Sequence, residues 1–345
     1  MKKLLALALA AAMMFSMVAC GGNNDDGGEV EATYKLGLGM TTTLGDIEDA
    51  SEEGDGTFQI NTTIAVLVID GEGKVVSAKL DVAQQGGAMD TTGALTTEPI
   101  TLTKVERGDG YGMRGVSEAI GIGKELFEQL EAFEAWMVGK TKDEIVNTET
   151  YKKDEEHTDV PTDEDLAAGV TISIGDYLVA IGKAFDNAVE TTGPVAKMGL
   201  GTTISPSIDE GSVQINTTVA AVAFDEDGKV VAAKLDVAQQ SVAWDENGVV
   251  TSVPDELGLR TKVEKGDDYG MRGLSESLGI GKELFEQLEG FEDWMLGKTA
   301  DEIANADTSA TNFEGAPTLA DTTAGVTISV GDYLLAVAEA RATAK

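Results

Sequence analysis

An α+β fold written twice in tandem is what this sequence predicts, on three observations. The first is duplication. Gln59-Ile-Asn-Thr-Thr63 returns as Gln214-Ile-Asn-Thr-Thr218, and Tyr111-Gly-Met-Arg-Gly115 returns as Tyr269-Gly-Met-Arg-Gly273. Gly121 to Glu131 returns unchanged as Gly279 to Glu289. A repeat length near 155 residues far exceeds that of solenoids, so it marks whole domains. The second observation is strand patterning: Ile60 to Ile69 and Lys74 to Val82 are apolar and β-branched around a Gly-rich turn. The third is helical spacing, in Leu126, Leu130, Phe133 and Met137 and again in Leu284, Leu288, Phe291 and Met295.

Taken in order, the chain opens with Met1-Lys2-Lys3 and an apolar run from Leu4 to Phe15, too short for a mature membrane span. This reads as a secretory signal over residues 1–19. Small residues before Cys20 form a pattern that resembles a bacterial lipobox, with Met17 where Leu is commoner. The resemblance implies cleavage before Cys20, a lipid on its sulfur and an extracytoplasmic protein held at the cell membrane. Residues 20–31, rich in Gly, Asn, Asp and Glu, suit a flexible tether. Repeat 1 then occupies residues 32–193 and repeat 2 residues 194–345, each with its own core, and the seam falls at Thr191-Thr-Gly-Pro194. Within each repeat a hairpin turns at Asp70-Gly-Glu-Gly73 or Asp225-Glu-Asp-Gly228. The long helix follows, and a closing helix starts near Asp176 or Asp332, which stand where N-caps do. Tyr177, Ile181 and Phe185 make that helix's inner face.

Composition removes much chemistry. Lys plus Arg number 25 against 61 for Asp plus Glu, a formal charge of −36 that no phosphate backbone would approach. One cysteine excludes an intramolecular disulfide, and one histidine excludes His-cluster metal sites and Cys–His catalysis. Asp225-Glu-Asp-Gly228 lacks the further ligands of a calcium loop and reads as a turn. The acid-rich stretch Asp46 to Asp55 reads as a solvated loop. No catalytic constellation stands out. Gly121-x-Gly-Lys124 and Gly279-x-Gly-Lys282 precede the long helix, where backbone amides and a lysine suit an anion such as phosphate.

One motif carries more. Asp165-Leu-Ala-Ala-Gly-Val-Thr171 and Asp321-Thr-Thr-Ala-Gly-Val-Thr327 each run through Ile-Ser into the closing helix. This resembles the C-terminal element of the FMN-binding domain family, in which Asp-x-x-Ser/Thr-Gly-Ala-Thr precedes a helix. Asp227-Gly-Lys-Val-Val231 is similar to the family's first hairpin. The resemblance implies Thr171 and Thr327 as acceptors of covalent FMN through a phosphodiester, placed by a separate flavin transferase. It implies Asp165 and Asp321 as the motif acids and Gly169 and Gly325 as turn glycines. Both copies depart from the family pattern, with Ala168 and Ala324 at its hydroxyl position and Val170 and Val326 at its alanine. Two flavins on a lipid tether would form an extracytoplasmic electron carrier serving redox partners. The alternative is a surface lipoprotein without cofactor that binds a small molecule or another protein. Its site would be Tyr111, Met113 and Arg114 with Tyr269, Met271 and Arg272, since a ring and a guanidinium together grip an aromatic anion.

Overall fold

The computed structural model describes residues 33–345 apart from residues 120 and 156. The residues expected to form the signal, the lipidation site Cys20 and the tether fall outside the described residues. Repeat 1 contains β1 (Tyr34–Leu44), β2 (Gly56–Asp70), β3 (Val75–Met89) and β4 (Leu95–Thr97). The helices α1 (Arg114–Ala119), α2 (Leu126–Met137) and α3 (Lys142–Val146) follow. Then come β5 (Thr150–Tyr151), β6 (Val160–Pro161), α4 (Glu164–Ala167), α5 (Gly175–Asp186) and β7 (Val189–Glu190). Repeat 2 contains β8 (Lys197–Asp209), β9 (Ser212–Phe224), β10 (Val230–Trp244) and β11 (Val250–Ser252). Its helices are α6 (Glu256–Leu259), α7 (Lys262–Lys265), α8 (Arg272–Glu276), α9 (Leu284–Met295) and α10 (Ala300–Ala304). The strands β12 (Ala310–Thr311) and β13 (Pro317–Thr318) and the closing α11 (Gly331–Thr343) complete it.

The class is α+β, with antiparallel meanders. Sheet order is β4-β3-β2-β1-β7 in repeat 1 and β11-β10-β9-β8 in repeat 2. Alternation assigns the faces. Ala65, Leu67 and Ile69 of β2 face the helical layer, where they meet Leu126, Leu130, Phe133, Met137, Tyr177 and Ile181. Ile64, Val66 and Val68 face the other way, and so β2 reads as a continuous apolar run.

What the second face touches is the sister sheet. Leu36, Leu38 and Met40 pack in one cluster with Met198, Leu200, Val219 and Ala221. Phe58 stacks on Trp244 with centroids 6.0 Å apart, and the Trp244 indole donates to the Gly93 carbonyl at 2.8 Å. The two sheets therefore lie face to face with helices outside, and residues 32–345 form one compact unit. The expectation that each repeat holds a core of its own is met on the helical faces alone. The inner faces form shared cores, which the strand periods could not assign to a partner. At the predicted seam the chain hydrogen-bonds both sheets, Thr191 N to the Tyr34 carbonyl and Thr192 N to that of Val231. The acid-rich loop is solvent-exposed as expected, and within it Asp49 accepts from Val250 N of repeat 2 at 2.8 Å.

Two local readings are corrected. Asp176 and Asp332 are not N-caps; Ile174 and Val330 hold that position, and both acids lie in the first turn. Their carboxylates accept instead from Thr43 on β1 and Ser205 on β8. Phe185 is only half-buried, and Ala184 takes its expected place against the sheet because helix and strand approach too closely for a ring.

Candidate functional site

Each repeat holds a pocket between the open end of its sheet and the loops above α2 or α9. In repeat 2 it measures about 690 Å³ and in repeat 1 about 380 Å³, both within the roughly 300–1,000 Å³ usual for small-ligand sites. The lining repeats almost residue for residue. Asn216, Thr218 and Gln239 form the sheet floor, matched by Asn61, Thr63 and Gln84. Lys262, Tyr269, Met271 and Tyr333 make the walls, matched by Lys104, Tyr111, Met113 and Tyr177. The rims differ: His157, Thr158 and Asp159 border the smaller pocket, and Asn312, Phe313 and Glu314 the larger.

A buried carboxylate places each wall lysine. Asp81 projects from β3 into the core, where it accepts from Thr103 Oγ1 at 2.7 Å and from Val105 N at 3.1 Å. It thereby pins the backbone on either side of Lys104. Asp236 does the same for Lys262 through Thr261 and Val263. Burial pushes Asp81 up to about 7 and Asp236 up to about 6, against the lowering effect of their hydrogen bonds. The lysines lie 5.3 Å from the centroids of Tyr111 and Tyr269. Burial lowers the Lys262 pKa, while Asp236, Glu314 and Asp332 oppose that shift. These positioning acids were missed by sequence reasoning. The available signal was an aspartate inside an apolar strand, at the same place in both copies.

Of the expected ring-and-anion site, Tyr111, Met113, Tyr269 and Met271 line the pockets, and the arginines do not. Arg114 is held by Asp109 at 2.8 Å and Glu128 at 2.7 Å, and it donates to the Gly123 carbonyl. Arg272 repeats this with Asp267, Glu286 and Gly281. Each guanidinium is a loop clamp with its charge already matched.

The expected anion site at the long helix's start is also overturned. Glu125, 1% exposed, caps α2 in a reciprocal box with Glu128 and accepts from the amides of Met113 and Arg114. Glu283 does the same for α9. A carboxylate already occupies the helix terminus, so a second anion there meets like charge. The glycines before each lysine serve the turn, with φ of 97° and 56° at Gly121 and Gly123.

Lys124 and Lys282 instead reach the threonine motif. A Cβ on Gly325 would lie 2.9 Å from Lys282 Nζ, and one on Gly169 would lie 3.1 Å from Lys124 Nζ. Among the described residues, neither ammonium has a carboxylate within ion-pair distance. Thr171 and Thr327 are half-buried beside them. Thr327 donates to Gln287 Oε1 from its amide at 2.8 Å and its hydroxyl at 3.0 Å, and Thr171 uses Gln129 likewise. The same glutamines donate through Nε2 to the sulfurs of Met113 and Met271 on the pocket walls. One glutamine side chain thus separates each motif threonine from its pocket. Val170 and Val326 point into the core.

The motif acids need re-pairing. Asp321 accepts from the Trp294 indole at 2.8 Å, and the residue doing so for Trp136 is Asp163, at 3.0 Å. Asp165 is exposed, and its amide donates to Asp163. By distance from the motif glycine, Asp165 corresponds to Asp321. Repeat 1 carries two extra residues at this point, and the indole contact shows the true correspondence. Gly325 has the left-handed φ of 62° expected of a turn glycine. Gly169 is required for space, since a Cβ would lie 2.8 Å from that of Ala132.

No family model matches the chain, and no solved structure matches it. Among curated proteins it is similar to a chlorophenol reductase of Desulfitobacterium hafniense, 31% identical over 99 residues. The match spans 26% of this chain and 29% of that relative's length. Among the described residues no helix is long and apolar enough to cross a membrane.

Proposed function

We propose that this chain is a surface-tethered carrier that holds one flavin mononucleotide in each repeat for extracytoplasmic electron transfer. The observation supporting it is the repeated junction of a threonine, an ion-pair-free lysine and a pocket bridged by one glutamine. These groups fit the cofactor's parts. Thr171 and Thr327 would carry the phosphate, Lys124 and Lys282 would balance its remaining charge, and Tyr111 or Tyr269 with Met113 or Met271 would contact the ring. The flavin supplies the redox chemistry, while the residues hold and orient it. That a partial relative is named a reductase favours a redox-active ligand over an inert one.

A second reading, a cofactor-free binding protein, is favoured by the pocket charges. Lys262 shares its pocket with Glu314 and Asp332, as Lys104 does with Asp159 and Asp176. Such opposed charges suit a zwitterion. Intact mass and the visible spectrum of protein from its native host separate the two. On the flavin reading Thr327→Ala loses one flavin and Thr171→Ala the other, each halving the yellow absorbance of a still-folded chain. Unmodified threonines with no flavin released on denaturation overturn it and leave the cofactor-free reading. The tether is tested by Cys20→Ala, which should move the protein from the membrane fraction to the soluble one, since stable anchoring needs the lipid. Unchanged membrane retention refutes lipidation at Cys20.

A further inference from the structure

The two repeats meet along a seam with approximate twofold correspondence, and its two edges are chemically unlike. On one edge Lys183 of α5 crosses to Glu264 of α7 at 2.6 Å and also donates to the Met40 carbonyl at 2.8 Å. Glu264 uses its other oxygen to accept from Thr261 N at 2.9 Å. On the opposite edge every part recurs but one. Glu106 is the counterpart of Glu264, and it accepts from Thr103 N at 2.6 Å. The counterpart of Lys183 is Glu339 of α11, which accepts from Thr202 N at 2.8 Å. Glu339 and Glu106 line one cavity at this edge, the carboxyl of one facing that of the other where the opposite edge has an ammonium facing a carboxylate. Two facing carboxylates have no donor between them, so a protonated Glu339 is needed for the pair to attract.

We propose that Glu339 is a proton-operated latch against Glu106, closed when Glu339 is protonated and repelling when it ionises, while the Lys183–Glu264 ion pair holds the other edge. The surroundings resist full ionisation. The cavity at this edge also carries Asp81, Glu131 and Glu134, against Lys79 and Lys345. Lys345 is engaged by Glu131 at 2.9 Å. Burial is the main cause raising Glu339, to about 7, and its neighbours Glu106 and Asp81 add to it. A carboxyl raised in the folded state contributes stability below its ordinary pKa of 4.5, and that stability is lost as pH rises through about 7. The latch therefore weakens across neutrality.

Thermal unfolding of the full chain at pH 5.5 and pH 8 tests this with Glu339→Gln and Glu339→Lys. Glutamine keeps a donor at all pH values, and lysine recreates the opposite edge. Both should lose less midpoint than the wild type between the two pH values, by on the order of 2 °C. At pH 8 Glu339→Lys should unfold at the higher temperature. Glu339→Gln adds no charge beside the other buried acids and so isolates the Glu339 contribution. Potentiometric titration of folded protein gives a second readout, with up to one proton fewer taken up by Glu339→Gln between pH 8 and 6. Parallel pH profiles together with equal proton uptake overturn the latch, and so does a Glu339→Lys protein less stable than wild type at pH 8.

Discussion

Gly201→Ala is expected to destabilise the protein by about 3 kcal/mol or more, at the upper end of single overpacking substitutions. A Cβ at Gly201 would fall inside the van der Waals shell of the Ala336 carbonyl oxygen on α11, and Gly199 stands in the same relation to Ala340. Gly37 and Gly39 repeat this against Ala184 and Ala180 of α5. The closing helices lie almost on β1 and β8, and a helix backbone cannot give way as a side chain can. Gly182→Ala is the control. Its new Cβ would meet Val146 Cγ1 at 3.7 Å and Lys142 Cε at 4.0 Å, ordinary contacts, and repeat 2 already has Ala338 there. Helix propensity then predicts a gain of about 0.5–1 kcal/mol. Chemical denaturation of the full chain measures both. Equal effects at the two positions would contradict the close strand–helix packing.

The second large effect concerns the repeats apart from each other. Residues 32–193 or 194–345 alone should give no cooperative unfolding transition as a monomer. Each would expose one side of the shared core, including Leu36, Leu38, Phe58 and Ile60, or Leu200, Ile204, Ile215 and Trp244. An apolar sheet face of this kind is an association surface in water. Size-exclusion chromatography should find each half self-associated or aggregated, and mixing the two should restore a 1:1 particle. A monomeric half with a sharp thermal transition would show that the helical-face core suffices, which is the behaviour expected from the sequence.

The helix stripes, the hairpin turns and the duplication were legible because each is a local period. Leu126, Leu130, Phe133 and Met137 follow the α-helical repeat, and all are buried. The pockets were legible in part. Tyr111 and Met113 were singled out as an aromatic and a thioether in a Gly-rich loop, and they line the site. Arg114 was not separable from them in sequence, because its partners Asp109 and Glu128 are engaged only once α1 and α2 fold together. Asp163 was passed over for a similar reason. Its role is defined by the Trp136 indole, 27 residues away in the chain.

The sequence by itself determined the class, the repeat and the faces of each element, since side-chain period and turn chemistry act within a few residues. Only the tertiary structure decided what those faces meet. Sheet packs on sheet because β2 and β9 are apolar on both sides and each helical layer covers only one. The same docking pairs Lys183 with Glu264 and brings Glu339 and Glu106 into one cavity, residues 81 and 233 positions apart in the chain. No local pattern encodes such pairs. They exist because burying the remaining apolar face stabilises the whole unit, and the charges at its edge take the positions that this packing leaves them.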